Sequence, residues 1–141
     1  MNLKRFAIGT LVGGITVFVI GTAIFALAPL IGFFDYAMNA GAAVGVARSP
    51  QLLWAVALAS LSYGALVTLA IVDRPRASSV GAGLVTGAIV GFLLWFTADF
   101  MLYGVSNVGN LTSTAVSPLI ELVPGAAAGG VIAAVVGKLR S

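Results

Sequence analysis

Long apolar stretches alternate with short polar ones along the whole chain. Four of them, at about residues 6–28, 52–72, 80–103 and 118–138, are long enough to cross a bilayer as helices. A helix needs roughly 20 residues to cross the apolar core of a membrane, which is about 30 Å thick. The pattern therefore predicts a single all-α domain over residues 1–141, an integral membrane bundle of four helices.

The first apolar stretch follows Lys4 and Arg5 and has some features of a signal peptide. It is far longer than the apolar region of such a peptide, which extends over roughly 7–15 residues, so we expect a retained transmembrane helix. Two interpretations stay open for the segment that follows. It forms either a helix lying at the membrane interface, within residues 30–48, or a connector partly buried against the bundle.

The last apolar stretch carries signals for where its helix begins. Ser117 is a residue type favoured at a helix N-cap, and Pro118 is favoured at the first helical position. The uncharged polar stretch before Ser117 is predicted to be a loop. Pro124 would then lie inside the helix, where its missing N–H group can produce a kink.

Composition agrees with a membrane location and removes several kinds of chemistry. Hydrophobic residues make up 60% of the chain and charged residues only 8%, against roughly a quarter charged in soluble domains. The chain has no cysteine and no histidine. This excludes disulfides, zinc, haem or iron–sulfur sites built from these residues, and catalysis by a nucleophile–histidine pair. We expect no cofactor, no metal and no enzymatic activity.

The basic residues are distributed unevenly between the two sides of the predicted bundle. Four crossings place the N-terminus, the loop after the second helix and the C-terminus on one side. That side holds Lys4, Arg5, Arg74, Arg76, Lys138 and Arg140, whereas the other side holds only Arg48. Because cytoplasmic loops are enriched in lysine and arginine, both termini are predicted to be cytoplasmic. Membrane orientation explains the basic balance better than nucleic-acid binding, and we expect no nucleic-acid partner.

Small residues recur every four positions on one side of the third and fourth helices. The rows are Gly83, Gly87 and Gly91 on the third helix, and Gly125, Gly129, Ala133 and Gly137 on the fourth. Such rows let helix backbones approach closely in lipid. Counted inward from the cytoplasmic ends, the expected pairs are Gly83 with Ala133, Gly87 with Gly129, and Gly91 with Gly125. The rows predict a tight antiparallel contact, either within one chain or between chains.

Bulkier and polar residues continue both rows towards the outer side. The candidate polar site consists of Trp95 and Asp99 on the third helix, Ser117 and Glu121 on the fourth, and Arg48 from the outer segment. We expect the helices to splay here around an opening lined by the two carboxylates.

Each carboxylate also has a structural explanation. Glu121 falls in the first turn of the predicted fourth helix, where the helix dipole favours an anion, and this favours a structural role. Asp99 lies near a helix C-terminus, where the dipole opposes it, so it needs a partner, water or a proton. A pairing of either carboxylate with Arg48 would make the site structural.

A glycine-rich helix from Gly81 onward is followed by "WFTADF", "NLTS" and "SPL", and then by a last helix rich in glycine and alanine. In these features the chain resembles small bacterial four-helix membrane proteins of a domain-of-unknown-function family. That family has an aromatic–Asp–Leu–Thr–Asn stretch before its last helix. Asp99 matches the Asp, whereas Asn110 and Leu111 lie further along, so the motif is split. The resemblance implies the fold and a plasma (inner) membrane location in a prokaryote, without an activity.

The sequence supports two hypotheses about function. The first, which the glycine rows favour, is a non-enzymatic packing or accessory protein. Its partners, besides the lipid bilayer, would be other membrane helices, in a homo-oligomer or a larger membrane complex. The second is a small transporter or channel that uses the outer carboxylates for a proton or a cation.

Overall fold

The computed structural model describes residues 2–27, 30, 52–74, 79–105 and 109–139. The described residues form α1 (Leu3–Leu27), α2 (Leu53–Ile71), α3 (Val80–Val105), α4 (Leu111–Ile120) and α5 (Leu122–Lys138). Only Glu121 separates α4 from α5, and the two helices together make one apolar span, Leu111–Lys138. The chain thus has four helical spans that are long and apolar enough to cross a membrane. The prediction of an all-helical chain with four such spans is confirmed within the described residues.

Helices α1, α2 and α3 begin and end within a few residues of the apolar stretches that predicted them. Residues 31–51 lie outside the described residues. They include Arg48 and nearly all of the segment for which an interfacial helix or a buried connector was expected.

The predicted start of the last helix is wrong. This helix begins at Leu111, because Asn110 is its N-cap. The Asn110 side chain accepts a 2.8 Å hydrogen bond from the backbone N–H of Ser113, and the Ser113 hydroxyl accepts one of 3.1 Å from the backbone N–H of Asn110. This reciprocal pair satisfies N–H groups that a helix start leaves free. Ser117 and Pro118 therefore lie inside α4, and neither begins a helix.

Glu121, the residue between α4 and α5, lies between Pro118 and Pro124. Because proline has no N–H group, Pro124 cannot donate the usual helical hydrogen bond to the carbonyl of Ile120. Glu121 itself keeps a helical backbone conformation, with φ −70° and ψ −9°. Its N–H donates to the carbonyl of Ser117 and its carbonyl accepts from the N–H of Gly125, so the helical course continues and the disturbance expected at Pro124 is limited to the donor missing at Ile120.

The helices pack mainly as two antiparallel pairs, α1 with α2 and α3 with α5. The pairs meet where α1 contacts α5: a Cβ atom on Gly13 would lie 2.6 Å from Cδ1 of Ile132. At one end of the bundle, Arg5 near the start of α1 donates a 3.0 Å hydrogen bond to the carbonyl of Leu139, just after α5. The start of α1 and the end of α5 therefore lie at the same end of the bundle.

Apolar side chains cover both the interior and the outside of the helices. The interior consists mostly of small aliphatic residues together with one tyrosine: Val17, Tyr63, Val67, Ile71, Val72, Ala128, Ile132, Ala133 and Val136. On the outer side of α1, Leu11, Ile15 and Val19 are each 55% exposed. Helices of soluble bundles are instead polar on their outer side.

Candidate functional site

The two predicted rows of small residues meet along the contact between α3 and α5. Gly83 lies against the carbonyl of Gly129 and the methyl group of Ala133, and Gly87 lies against the carbonyl of Gly125. A Cβ atom on Gly87 would be only 2.9 Å from Cα of Gly129, which is closer than Cβ atoms approach other atoms in folded proteins. These rows face each other within one chain.

The observed pairing is offset from the expected one along the rows, since the atom nearest to a Cβ added at Gly87 is the carbonyl oxygen of Gly125 rather than an atom of Gly129. The atoms nearest to Gly91 are the hydroxyl oxygen of Tyr63 and the carbonyl of Glu121, rather than atoms of Gly125. Tyr63 of α2 reaches the contact between α3 and α5 at this level, and Gly91 also stays against the backbone of the last helical span through the Glu121 carbonyl. Gly137, the last member of the α5 row, is half-buried.

Glu121 is buried, with only 7% of its surface exposed, at the boundary between α4 and α5. The ten residues of α4 precede it in the span, which places it about 15 Å along the helix from Leu111. The prediction that it lies in the first turn of the fourth span is therefore wrong, because the span begins earlier. Because helical hydrogen bonds continue on both sides of Glu121, it lies well inside the span, beyond the first turn where the helix dipole favours an anion, and the dipole argument for a purely structural role is weakened.

Asp99 approaches Glu121 from α3. The two carboxylates are close enough to interact electrostatically, and the Ser117 hydroxyl forms a hydrogen bond with the Asp99 side chain. The Oδ2 atom of Asp99 is buried and has no hydrogen-bond partner among the described residues. Two carboxylates that repel each other, one of them buried, need a proton, water or a cation to offset their repulsion and desolvation.

Trp95 lies one helical turn before Asp99 and packs, partly buried, against the core. Its indole Nε1 atom is buried without a hydrogen-bond partner in the described part of the chain. An indole N–H can only donate, and buried donors are almost always paired in folded proteins. Of the predicted members, Asp99, Glu121 and Ser117 come together, Trp95 lies one turn before Asp99 on the same helix, and Arg48 lies outside the described residues.

The basic residues of the described part lie at the other end of the bundle: Lys4, Arg5, Arg74 and Lys138. Helix α3 begins at that end with Val80, and Asp99 lies about 28 Å further along the helix. None of these four cations can therefore reach the carboxylates.

Tyr63 is the member of the site that the sequence analysis missed. It is 5% exposed, and its hydroxyl donates a hydrogen bond of 3.3 Å to the backbone carbonyl of Glu121. The phenol also lies within electrostatic reach of the Glu121 carboxylate. A signal was present in the sequence: Ser62, Tyr63 and Gly64 form a short polar and small interruption in an otherwise apolar helix.

The site offers oxygen atoms from two carboxylates, a serine and a tyrosine. Oxygen atoms of this kind accept protons and bind hard cations. No group of three or more His, Cys, Asp or Glu side chains that could hold a metal ion occurs in the described residues.

Comparison of this chain with protein-family models, with curated proteins and with solved structures finds no match.

Proposed function

We propose that this chain is an integral membrane protein of four crossings, with both termini in the cytoplasm of a prokaryote and the chain in its plasma membrane. Four apolar spans, the apolar outer side of the helices and the basic residues at one end of the bundle support this proposal. The close contacts between the glycines of α3 and α5 would hold the third and fourth spans together in lipid.

We further propose that the protein is a small, non-enzymatic transporter or channel for a proton or a small cation. The observation that carries this proposal is the burial of Glu121 beside Asp99, inside the fourth span and far from the described basic residues. Ionisable residues inside membrane spans are costly, and they commonly mark the path of an ion or a proton.

The proline that follows Glu121 adds to this argument. Transporters often use backbone carbonyl groups without a helical donor to bind their ions. Here the carbonyl of Ile120 lacks its usual helical donor because residue 124 is proline. It lies next to Glu121 in the chain, at the boundary between the two helices.

The test is a flux measurement with purified protein in liposomes. One set of liposomes receives a pH gradient and a second set receives a sodium or potassium gradient, so that the two carried species are distinguished. We expect flux above that of empty liposomes with one of them. Asp99→Asn and Glu121→Gln should each abolish most of that flux while the protein stays folded, because each removes a group that would bind the proton or cation, and the double variant should lose little more.

Asp73→Asn is the matched control, because it removes a carboxylate at the basic end of the bundle, away from the site. It should leave the flux unchanged. If wild-type protein carries neither protons nor cations, or if the control loses as much flux as the site variants, the transport proposal fails.

The second candidate function is an accessory subunit or homo-oligomer, as the glycine rows first suggested. The outer side of α3 favours it: Phe92, Phe96 and Phe100 form a ladder, with ring centroids 5.5 Å and 4.4 Å apart in the two successive pairs. Phe96 and Phe100 are 43% and 37% exposed. Purification in mild detergent tests this candidate. Subunits or further copies of the chain that co-purify with the wild type, and that are lost from the Phe96→Ala variant, would support it. A monomer without partners would contradict it.

A further inference from the structure

The hydroxyl of Tyr63 lies where α2, α3 and the boundary between α4 and α5 meet. It donates the 3.3 Å hydrogen bond to the carbonyl of Glu121. That carbonyl also accepts a 3.2 Å bond from the backbone N–H of Gly125. The carbonyl at the boundary between α4 and α5 is thus held from two directions, once by its own helix and once by a side chain of another helix.

The glycine rows make room for this hydroxyl. A Cβ atom on Gly91 would overlap the Tyr63 hydroxyl, and one on Gly125 would lie 2.9 Å from it. A residue larger than glycine at either position would displace the phenol. Gly91 and Gly125 therefore have a function besides helix contact, because together they form the space in which the hydroxyl of Tyr63 reaches Glu121.

We propose that Tyr63 is a positioning residue for the carboxylate site: it fixes the backbone of Glu121 at the helix boundary, and through that backbone it sets the position of the Glu121 carboxylate beside Asp99. The orientation of the carbonyl relative to the Cα–Cβ bond is set by the ψ angle of Glu121, so a carbonyl held in place fixes the atom from which the side chain extends. Holding the carbonyl therefore limits where the carboxylate can lie. This inference rests on the proposed function for its flux readout, and a spectroscopic readout tests it independently.

The central variant is Tyr63→Phe, which keeps the buried ring and removes only the hydroxyl. Thr68→Val is its matched control. Thr68 lies on the same helix and is 0% exposed. Its hydroxyl donates a 2.7 Å hydrogen bond to the carbonyl of Gly64, and the substitution by valine removes that hydroxyl. It does not contact Glu121, so it reproduces the loss of a buried hydroxyl without the loss of positioning.

In the liposome assay we expect Tyr63→Phe to lower flux roughly tenfold, as is typical when a binding group loses a positioning contact. The dependence of flux on pH or on cation concentration should change as well. Thr68→Val should keep the wild-type dependence. Equal behaviour of the two variants would overturn the proposal.

Glu121 is the only glutamate in the chain, which allows a second test that needs no transport. Cell-free synthesis with glutamate carrying ¹³C in its side-chain carboxyl group gives an infrared carboxyl band from this residue alone. We expect the band to move in Tyr63→Phe and to stay in place in Thr68→Val. An unmoved band in Tyr63→Phe overturns the proposal, whereas absent flux together with a moved band rejects only the transport function.

A third measurement covers the case in which Tyr63→Phe does not fold. In wild-type protein, ¹³C in the backbone carbonyl of glutamate labels the group that accepts from both Tyr63 and Gly125. Two donors should lower the stretching frequency of this carbonyl below that of a helical carbonyl with one donor. A band at the ordinary helical frequency would overturn the proposal without any substitution.

Discussion

Gly87 of α3 lies directly against the backbone carbonyl of Gly125 of α5, so the two helices touch through main-chain atoms at this level. The contact repeats one turn nearer the basic end, where Gly83 lies against the carbonyl of Gly129. Backbone contact of this kind leaves no side chain that can adjust. A larger residue must therefore move a helix.

Gly87→Leu should separate α3 from α5 and destabilise the protein by about 1–3 kcal/mol or more, the range for overpacked interiors. Gly87→Ala should be milder, although its Cβ atom would still be only 2.9 Å from Cα of Gly129. Unfolding in a denaturing detergent, followed by circular dichroism, measures the difference.

Gly81→Leu is the control for this substitution, since Gly81 lies on the same helix with nothing within 4 Å of an added Cβ atom. Leucine forms helices more readily than glycine, so this variant should be as stable as wild type or slightly more stable. Equal destabilisation at Gly81 and Gly87 would show that the effect does not come from the contact with α5.

The contact between α1 and α2 makes a second prediction, at Gly64. A Cβ atom there would overlap the backbone nitrogen of Gly14 and lie 2.7 Å from the carbonyl oxygen of Thr10. Because both neighbours are backbone atoms, Gly64→Ala should already reduce stability measurably despite adding a single methyl group. Gly21→Ala on α1, which has open space around it, should be neutral or stabilising by up to about 1 kcal/mol. The same unfolding assay compares them, and a neutral Gly64→Ala would contradict the packing of α1 on α2.

The four spans could be predicted because a span is recognised from the length and apolar character of a segment, without knowledge of tertiary contacts. The start of the last helix could not be predicted in this way. Its N-cap, Asn110, lies in a polar stretch, and the reciprocal partner is Ser113 instead of the glutamate or glutamine usual in a capping box. The serine and threonine residues of α4 suggested a loop, and Ser117 with Pro118 suggested a later start for the helix.

The carboxylate site was predictable in part for a related reason. Extending the rows along α3 and the fourth span places Asp99 near Ser117 and Glu121, since helix geometry fixes the positions along each row. The contribution of Tyr63 could not be predicted, because it depends on how α2 packs against α3 and α5, and the glycine rows of those two helices do not indicate this. The burial of Glu121 was also missed, because it depends on the ten residues of α4 that precede it.

Asn110→Ala tests the corrected helix start. It should remove the hydrogen bond to the backbone N–H of Ser113 and destabilise the protein by about 1 kcal/mol, the usual effect of losing an N-cap. Thr112→Ala, at an exposed position in the first turn, should have little effect. A helix that began at Pro118 would instead make both substitutions neutral in the unfolding assay.

The orientation of the bundle gives the last prediction, and the absence of cysteine from the chain makes it simple to test. Val105 ends α3 and is 72% exposed, whereas Leu139 follows α5 at the opposite, basic end and is 38% exposed. Single cysteines at these positions, Val105→Cys and Leu139→Cys, are treated with a membrane-impermeant thiol reagent in intact cells and in opened cells. With cytoplasmic termini, Val105→Cys should react in intact cells, and Leu139→Cys should react only after the cells are opened. Reaction of Leu139→Cys in intact cells would reverse the orientation, and reaction of both variants in intact cells would contradict the membrane crossings themselves.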